Sequence, residues 1–261
     1  MSSFWDKRYE VHGHTGWSDE ALYKYDQKAR LNAIEEIIDD LKFNRFLDIG
    51  CGSGDFTKLC LNNKNLPTGL GVDISKKVVE ALKEEFKPLS QVQFQQIDLT
   101  KDTLPLQEFD LVICVTVLQH LGNDHEIKAA INTIKSSMKP GGYLLVLENI
   151  YGDLKEENDS YIRTNISSED WKYFLKAGGM QVKDVCAYNH WGVVLTESLQ
   201  SLLTKITRRK RKSVKSSKDL ISTSTTVASS GVKKRLKKLV FAIAYVLDHV
   251  LKLPVPGVLK R

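Results

Sequence analysis

The segment 46–54 has the sequence Phe-Leu-Asp-Ile-Gly-Cys-Gly-Ser-Gly, and it decides the fold. Its apolar start predicts a strand, and its glycines let the chain turn sharply while backbone N–H groups approach a ligand closely. A dinucleotide-binding loop would have a third glycine at the sixth position of the pattern G-x-G-x-x-G, where this chain has Asp55. Instead, an acidic residue, Asp48, lies two positions before Gly50. The loop therefore differs from a dinucleotide loop and has a carboxylate at its entrance.

Strands and helices alternate along the chain around this loop. The predicted strands span residues 45–50, 68–74, 92–99, 109–117, 143–149 and 182–188. The predicted helices span residues 18–42, 55–61, 75–86, 124–138 and 167–177. The strand at 109–117 is nearly continuous in apolar residues, which is typical of the centre of a parallel sheet. This alternation predicts an α/β domain with helices on both faces of a parallel sheet.

Two further carboxylates are predicted to lie at strand ends. Asp73 follows Gly54 by nineteen residues, where a carboxylate can accept both hydroxyls of a ribose. Asp98 ends the next predicted strand, where it can accept an adenine amino group while Leu99 packs on the ring. Each acid could instead be an ordinary strand-end or capping carboxylate.

Five motifs occur in a fixed order: D-I-G-C-G-S-G, V-D-I-S, I-D-L, F-D-L-V followed by V-L-Q-H-L, and K-P-G-G. This series, over about residues 40–150, resembles that of class I S-adenosylmethionine (SAM)-dependent methyltransferases, in particular bacterial small-molecule and sugar O-methyltransferases. The resemblance implies a Rossmann-like, mostly parallel seven-stranded sheet with an N-terminal helical lid and a C-terminal helical appendage. It also implies SAM as the cofactor and S-adenosylhomocysteine (SAH) as its product. The seventh strand has two candidate positions, 191–195 and 255–259.

The resemblance implies roles for the motif residues. Gly50 and Gly52 line the methionine part of the cofactor, while Asp73 binds the ribose and Asp98 the adenine. The charge of Asp48 suits the cationic end of a sulfonium amino acid. The remaining implied contacts are Ile74 and Leu99 on the adenine, Val115 at the sulfonium and Arg30 on the methionine carboxylate. Arg30 could instead be an ordinary solvated helix residue.

His120 is the predicted general base. It follows the fourth predicted strand, at the methyl end of the cofactor, and an oxygen acceptor must lose a proton. The alternative is that His120 only shapes its loop through a backbone hydrogen bond. Residues predicted from position alone to bind the acceptor are Trp17, Tyr25, Glu148, His190 and Trp191. The spacing of His, Asp and Glu predicts no metal site.

Charge is distributed unevenly along the chain. The net charge is +6, but residues 204–238 contain thirteen Lys and Arg and one acidic residue, so the part before them is acidic. The predicted domains are lid helices at 1–42, a SAM-binding core at 43–203, a basic Ser/Thr-rich linker or insertion at 204–231, and a basic amphipathic helix with its tail at 232–261. The apolar face of 232–252 predicts contact with an anionic membrane surface, the catalytic body or a second copy in a homodimer. Aromatic residues do not interleave with the basic run, so no nucleic-acid partner is predicted.

The motifs and the resemblance together predict methylation of a hydroxyl on a small polar acceptor: a sugar, a surface glycan, as in polysaccharide biosynthesis, or a secondary metabolite. The alternatives are N-methylation of a small amine or protein terminus, an NAD-dependent oxidoreductase, and a non-catalytic SAM-binding interaction protein. The four cysteines are scattered and the first residues contain no apolar leader. We therefore expect a cytoplasmic protein, which would be peripheral to the inner face of the membrane if the basic helix binds lipid.

Overall fold

The computed structural model describes residues 2–16, 20–148 and 166–185. The helices are α1 (Ser2–His12), α2 (Glu20–Ile38), α3 (Asp55–Leu61), α4 (Lys76–Glu85), α5 (Asp124–Ser137) and α6 (Ser168–Ala177). The strands are β1 (Arg45–Ile49), β2 (Thr68–Asp73), β3 (Val92–Gln96), β4 (Phe109–Val115) and β5 (Met138–Leu147), and a short 3-10 turn covers Leu118–His120.

The described strands form one parallel sheet in the order β3-β2-β1-β4-β5. Strand β1 lies at its centre, where Ile49 pairs with Val72 of β2 and with Cys114 of β4. Every loop that leaves a carboxyl end therefore emerges at the same edge. The mostly parallel Rossmann-like sheet is confirmed, with five strands in the described part of the chain. Residues 182–185, the start of the predicted sixth strand, have no regular structure, and the two candidate seventh strands lie outside the described residues.

The core follows from the apolar pattern of β4 and α5. Strand β4 is buried along its length except at Asp110, as expected for a strand covered by neighbours. Helix α5 buries Ile127, Ala130, Ile131 and Ile134, which recur at the three- and four-residue spacing of one helix face. The core fixes the sheet on which the loops of the candidate site are mounted.

Strand β5 begins at Met138, five residues before the predicted start, although Pro140 and two glycines follow. The reason lies in β4: Lys139 Nζ donates to Asp110 Oδ1 at 2.9 Å, and the pairing of the two strands is irregular between Phe109 and Leu111. The predicted strand start at residue 143 was therefore wrong, because the irregular pairing accommodates Pro140 and the two glycines beside β4.

The chain divides into two compact units. One contains the described residues of Met1–Gly16 and Ile34–Val185, and so the whole sheet. Of the other, the structure describes residues 20–33, most of α2. The domain limits at residues 42 and 203 stay a prediction, and the segments 204–231 and 232–261 lie outside the described residues. Within the described ranges, no helix has the length and hydropathy needed to cross a bilayer.

Candidate functional site

The glycine loop turns out of β1 over the end of β2. The N–H groups of Gly50 and Cys51 both donate to the carbonyl oxygen of Val72, at 2.7 and 3.0 Å. Gly50 has φ +66°, a conformation that L side chains rarely adopt. A Cβ at Gly50 would also lie 2.4 Å from Cγ2 of Val117. Backbone conformation and a close approach from the loop after β4 thus both require glycine here.

Asp73 ends β2 and is buried, with its carboxylate held by the main chain. Gly52 N–H donates to Oδ2 at 3.0 Å and Ser75 N–H donates to Oδ1 at 2.9 Å. Burial raises the pKa of Asp73 to about 6 against the effect of these amide hydrogen bonds, and the nearby charge of Asp6 raises it further. The backbone of Ile74 adds a further hydrogen bond to this carboxylate, so the main chain holds it in place at the end of β2.

Asp48 is a second buried acid under the same loop. The hydroxyl of Thr57 donates to its Oδ2 at 2.6 Å. Burial raises the pKa of Asp48 to about 7, and the charge of Asp73 adds to the effect. Taking a carboxylate out of water is costly unless it gains a partner, so this pair of acids favours a cation beside the loop.

Asp98, past the end of β3, has a different environment. Its Oδ1 accepts hydrogen bonds from the backbone and the hydroxyl of Thr100, at 3.0 and 2.6 Å, and its Oδ2 accepts from Lys101 Nζ at 3.0 Å. Partial burial acts to raise the pKa of Asp98, but these hydrogen bonds outweigh it and hold the pKa below its usual value. Leu99 is part of the buried core cluster, whereas Ile74 is half-buried.

Helix α1 contacts the start of α4, at the edge where the carboxyl ends of the strands lie. Asp6 Oδ1 accepts hydrogen bonds from the Ser75 hydroxyl at 2.6 Å and from Lys77 N–H at 3.1 Å. Glu10 pairs with Lys77 Nζ at 2.9 Å. Asp6 lies within the predicted lid helices at 1–42, but the sequence does not mark it as a contact residue. No local pattern marks it, because its partner Ser75 is 69 positions away.

His120 ends the 3-10 turn that follows β4, beside α1. Its ring meets the indole of Trp5 edge to face, with centroids 4.8 Å apart. The side-chain nitrogen Nε2 of Gln119 lies 3.5 Å from Nε2 of His120. Val115, the predicted sulfonium contact, is buried at the end of β4. The structure thus places His120 at the same sheet edge as Asp73, with an aromatic side chain of α1 against it.

Glu148 directly follows β5 and faces the same turn. Its Oε1 accepts hydrogen bonds from the N–H groups of Val117 and Leu118, at 3.1 and 2.9 Å, and its Oε2 accepts from that of Gln119 at 3.3 Å. The prediction that Glu148 binds the acceptor remains a prediction. Its known contacts are with the backbone of the loop that carries His120.

The other predicted site residues belong to the second unit or lie outside the described residues. Arg30 and Tyr25 are buried side chains of the second unit, where Arg30 pairs with Asp26 at 2.5 Å. Trp17, His190 and Trp191 lie outside the described residues. Across residues 2–16, 20–148 and 166–185, no group of His, Cys, Asp and Glu has the arrangement of a metal site.

Comparison with known proteins shows that the part of the chain containing the sheet is similar to methyltransferases. The profile of a methyltransferase domain matches residues 47–144. A ubiquinone biosynthesis O-methyltransferase of Coxiella burnetii is 29% identical over 144 residues, which cover 54% of this chain and 56% of that protein. A ubiquinone/menaquinone biosynthesis C-methyltransferase of Pseudomonas savastanoi is 36% identical over 110 residues, which cover 40% of this chain and 41% of that one. This chain therefore spans about half or less of the length of these relatives.

Among solved structures, the cyclase SpnF superposes with a TM-score of 0.50 at 24% identity, over 62% of this chain and 60% of that one. A similarity of this level supports a shared fold. The matched region, 47–144, contains the glycine loop, Asp73, Asp98 and His120.

Proposed function

We propose that this chain is a class I SAM-dependent methyltransferase that transfers the methyl group of SAM to a hydroxyl oxygen of a small polar acceptor. The observation that carries the proposal is the Asp73 carboxylate, buried under the glycine loop and held by two backbone amides. A ribose presents two adjacent hydroxyl donors, and a carboxylate at the end of the second strand of such a sheet can accept both.

The charges around the glycine loop support the same cofactor. Asp48 and Asp73 are both buried, and the pKa of each is raised because its charge lacks water. A sulfonium and an ammonium group would relieve that cost, whereas a pyrophosphate would increase it. At Gly52, a Cβ would lie 2.9 Å from Oγ1 of Thr15, so the loop packs closely against the residues after α1 and only glycine fits there.

In the proposed reaction, the chain positions the donor and acceptor and takes up one proton. The sulfonium supplies an activated methyl group when bound. His120 accepts the hydroxyl proton of the acceptor as the oxygen–carbon bond forms and the carbon–sulfur bond breaks. Trp5 packs against the His120 ring, shielding one side of it from water. Alignment of the reacting atoms supplies much of the rate enhancement in such transfers.

The acceptor is proposed to be a sugar, a surface glycan or a secondary metabolite. The lid-plus-core layout supports a small acceptor, since α1 is fastened over the cofactor edge at Asp6 and Glu10. The relatives named above act on oxygen and carbon in quinone biosynthesis by their names, and an amine acceptor is a further alternative. The position of the methyl group on the product separates these possibilities.

The decisive experiment is incubation of the protein with methyl-labelled SAM and fractionated lysate, followed by mass spectrometry and NMR of the labelled product. We expect a label on an oxygen of a small molecule, and no label with the Asp73→Asn variant. SAM binding without any transfer would instead identify a non-catalytic SAM-binding protein. Binding of NAD in place of SAM would identify an oxidoreductase.

We also propose that residues 232–252 bring the protein to an anionic membrane surface. The support comes from the sequence alone: residues 204–238 contain thirteen basic residues and one acidic residue, and the segment 232–252 is predicted to form a helix with an apolar face. The full chain should sediment with phosphatidylcholine vesicles that contain phosphatidylserine and be released by added salt. Sedimentation that is equal on pure phosphatidylcholine vesicles, or that persists at high salt, would contradict this proposal.

A further inference from the structure

The loop after β4 has an unusual backbone that something must hold in place. Thr116 has φ +54°, in the left-handed region that non-glycine residues rarely occupy. Its N–H donates to the carbonyl oxygen of Leu147, at the end of β5, at 2.7 Å. A non-glycine residue in that region is strained, so it persists only where its surroundings determine the conformation.

The carboxylate of Glu148 provides such a determinant. It accepts three consecutive backbone N–H groups, those of Val117, Leu118 and Gln119, between 2.9 and 3.3 Å. The first N–H groups of a helical turn lack partners within the turn, and a negative charge is favoured there. Hydrogen bonds to an ionised acceptor are about twice as strong as neutral ones. Glu148 therefore ties the start of the turn to the end of the neighbouring strand.

The anchored segment has functional residues at both ends. At one end, Cγ2 of Val117 fills the space where Gly50 would carry a Cβ, so it lies directly on the glycine loop. At the other end, the His120 ring packs on Trp5 of α1. A shift of this backbone would move the contact with the cofactor loop and the candidate base together.

We propose that Glu148 is a positioning residue, whose carboxylate fixes the 117–119 backbone so that Val117 supports the glycine loop and His120 stays against Trp5. The assignment of His120 as base rests on the proposed function. The role of Glu148 in holding the loop rests on the geometry above. It differs from the predicted contact with the acceptor, because the carboxylate acts here on the backbone of the loop.

The test compares Glu148→Gln with Glu126→Gln in the full chain. Glu126 is a matched control, since its Oε2 also accepts a backbone N–H, that of Gly122, at 2.8 Å beyond the turn. A glutamine at 148 keeps one oxygen acceptor but sets an NH₂ group against an N–H donor. We expect amide hydrogen exchange at 117–119 to become about 10- to 100-fold faster in the 148 variant and to stay unchanged there in the 126 variant.

A second readout follows the two ends of the segment. In the wild type, the His120 ring protons should show the ring-current shift of Trp5, and SAH should bind as measured by calorimetry. The Glu148→Gln variant should lose most of that shift and bind SAH about 10-fold more weakly, with a thermal midpoint close to that of Glu126→Gln. Unchanged exchange at 117–119 with an unchanged His120 shift would overturn the proposal.

These readouts separate the proposal from the proposed function. Exchange and ring-current shifts need no cofactor, so they report on Glu148 even if the wild type fails to bind SAH, a result that would count against the proposed function alone. Conversely, a wild type that binds SAH beside a Glu148→Gln variant with a wild-type loop would contradict the positioning role alone. If amide exchange in Glu148→Gln accelerates throughout the sheet by the same factor as at 117–119, Glu148 stabilises the whole fold and the proposal is wrong.

Discussion

Asp73 ends β2 and Asp98 follows β3 at the same edge of the sheet, but the two carboxylates are held in different ways. Asp73 is buried, and backbone N–H groups of Gly52 and Ser75 fix its carboxylate. Asp98 is partly exposed, and its partners are Thr100 and the side chain of Lys101, which is 76% exposed. The carboxylate of Asp73 is thus held by backbone amides, whereas that of Asp98 is held in part by an exposed lysine side chain.

This difference predicts how much each aspartate must reorganise when a ligand binds. Folding of the glycine loop already orders the Asp73 side chain, so ligand binding loses little further entropy there. At Asp98, an exposed ion pair of small net value must be rearranged. Loss of Asp73 should therefore cost much more affinity than loss of Asp98.

The largest expected effect belongs to Asp73→Asn. The variant loses a charged acceptor for two ribose hydroxyls and sets an NH₂ group against a backbone donor, so SAH should bind about 100-fold more weakly by calorimetry. Asp110→Asn is a matched control. Asp110 also accepts two backbone N–H groups, those of Asn44 and Arg45, but lies near the opposite end of the sheet. The Asp110→Asn variant should retain the wild-type affinity for SAH. Equal losses of affinity in both variants would show that Asp73 has no specific role in binding.

Gly50→Ala should destabilise the fold by about 2 kcal/mol in denaturant unfolding. About half of that comes from a positive φ and the remainder from the clash with Val117. Gly141→Ala separates the two contributions, because Gly141 has φ +79° but no atom within 4 Å of a Cβ. Equal destabilisation of both variants would show that the Val117 contact carries no cost.

The pH dependence of SAH binding follows from the pKa of Asp73, which burial raises to about 6. Binding requires the ionised carboxylate, and at pH 5 about one tenth of the protein has it, so affinity should fall about 10-fold between pH 7 and pH 5. Asp73→Asn should weaken this dependence to the part that Asp48 contributes. A wild-type affinity that is flat across this range would contradict the assignment of Asp73 to the ribose.

Stability of the ligand-free protein should respond to the same acids in the opposite direction. The pKa values of Asp48 and Asp73 are raised to about 7 and about 6, above the usual 3.8, so the folded state binds more protons than the unfolded state between pH 4 and 7. Their contribution to the free energy of unfolding therefore grows as the pH falls through this window. Asp48→Asn should be more stable relative to the wild type at pH 8 than at pH 5 in denaturant unfolding. The reverse order would contradict the burial of a charged Asp48.

The smallest expected effect is that of Asp98→Asn. The variant keeps an oxygen acceptor for an adenine amino group and loses only a partly exposed ion pair, so SAH affinity should fall by about threefold or less. Lys101→Ala should leave the affinity unchanged or raise it slightly, since it frees Asp98. A loss at Asp98 as large as that at Asp73 would remove the distinction between the two strand ends.

The parts of the site that sequence could predict are those encoded by neighbouring residues. The strand, glycine loop and helix of 45–61, and the acids Asp73 and Asp98 near strand ends, follow from local patterns and from alternation. The predicted helix at 167–177 is also confirmed as α6, and the Ser167 hydroxyl caps it by accepting a hydrogen bond from Asp170 N–H at 3.2 Å within a capping box.

Contacts between distant residues could not be predicted in this way. Asp6 with Ser75, Trp5 with His120, and Glu148 with the 117–119 backbone join positions that only the folded sheet brings together. The early start of β5 has the same origin, because Lys139 finds its partner Asp110 on the adjacent strand. Local sequence marks Pro-Gly-Gly as a breaker, and tertiary pairing overrides it.

The most direct test of the account is a calorimetric titration of the wild-type chain with SAH and, separately, with NAD. A glycine loop over two buried acids predicts saturable one-to-one binding of SAH at pH 7.5 that weakens towards pH 5, and no measurable heat with NAD. Binding of NAD, or no binding of SAH by a folded chain, would contradict the assignment of Asp73 and of the site built around it.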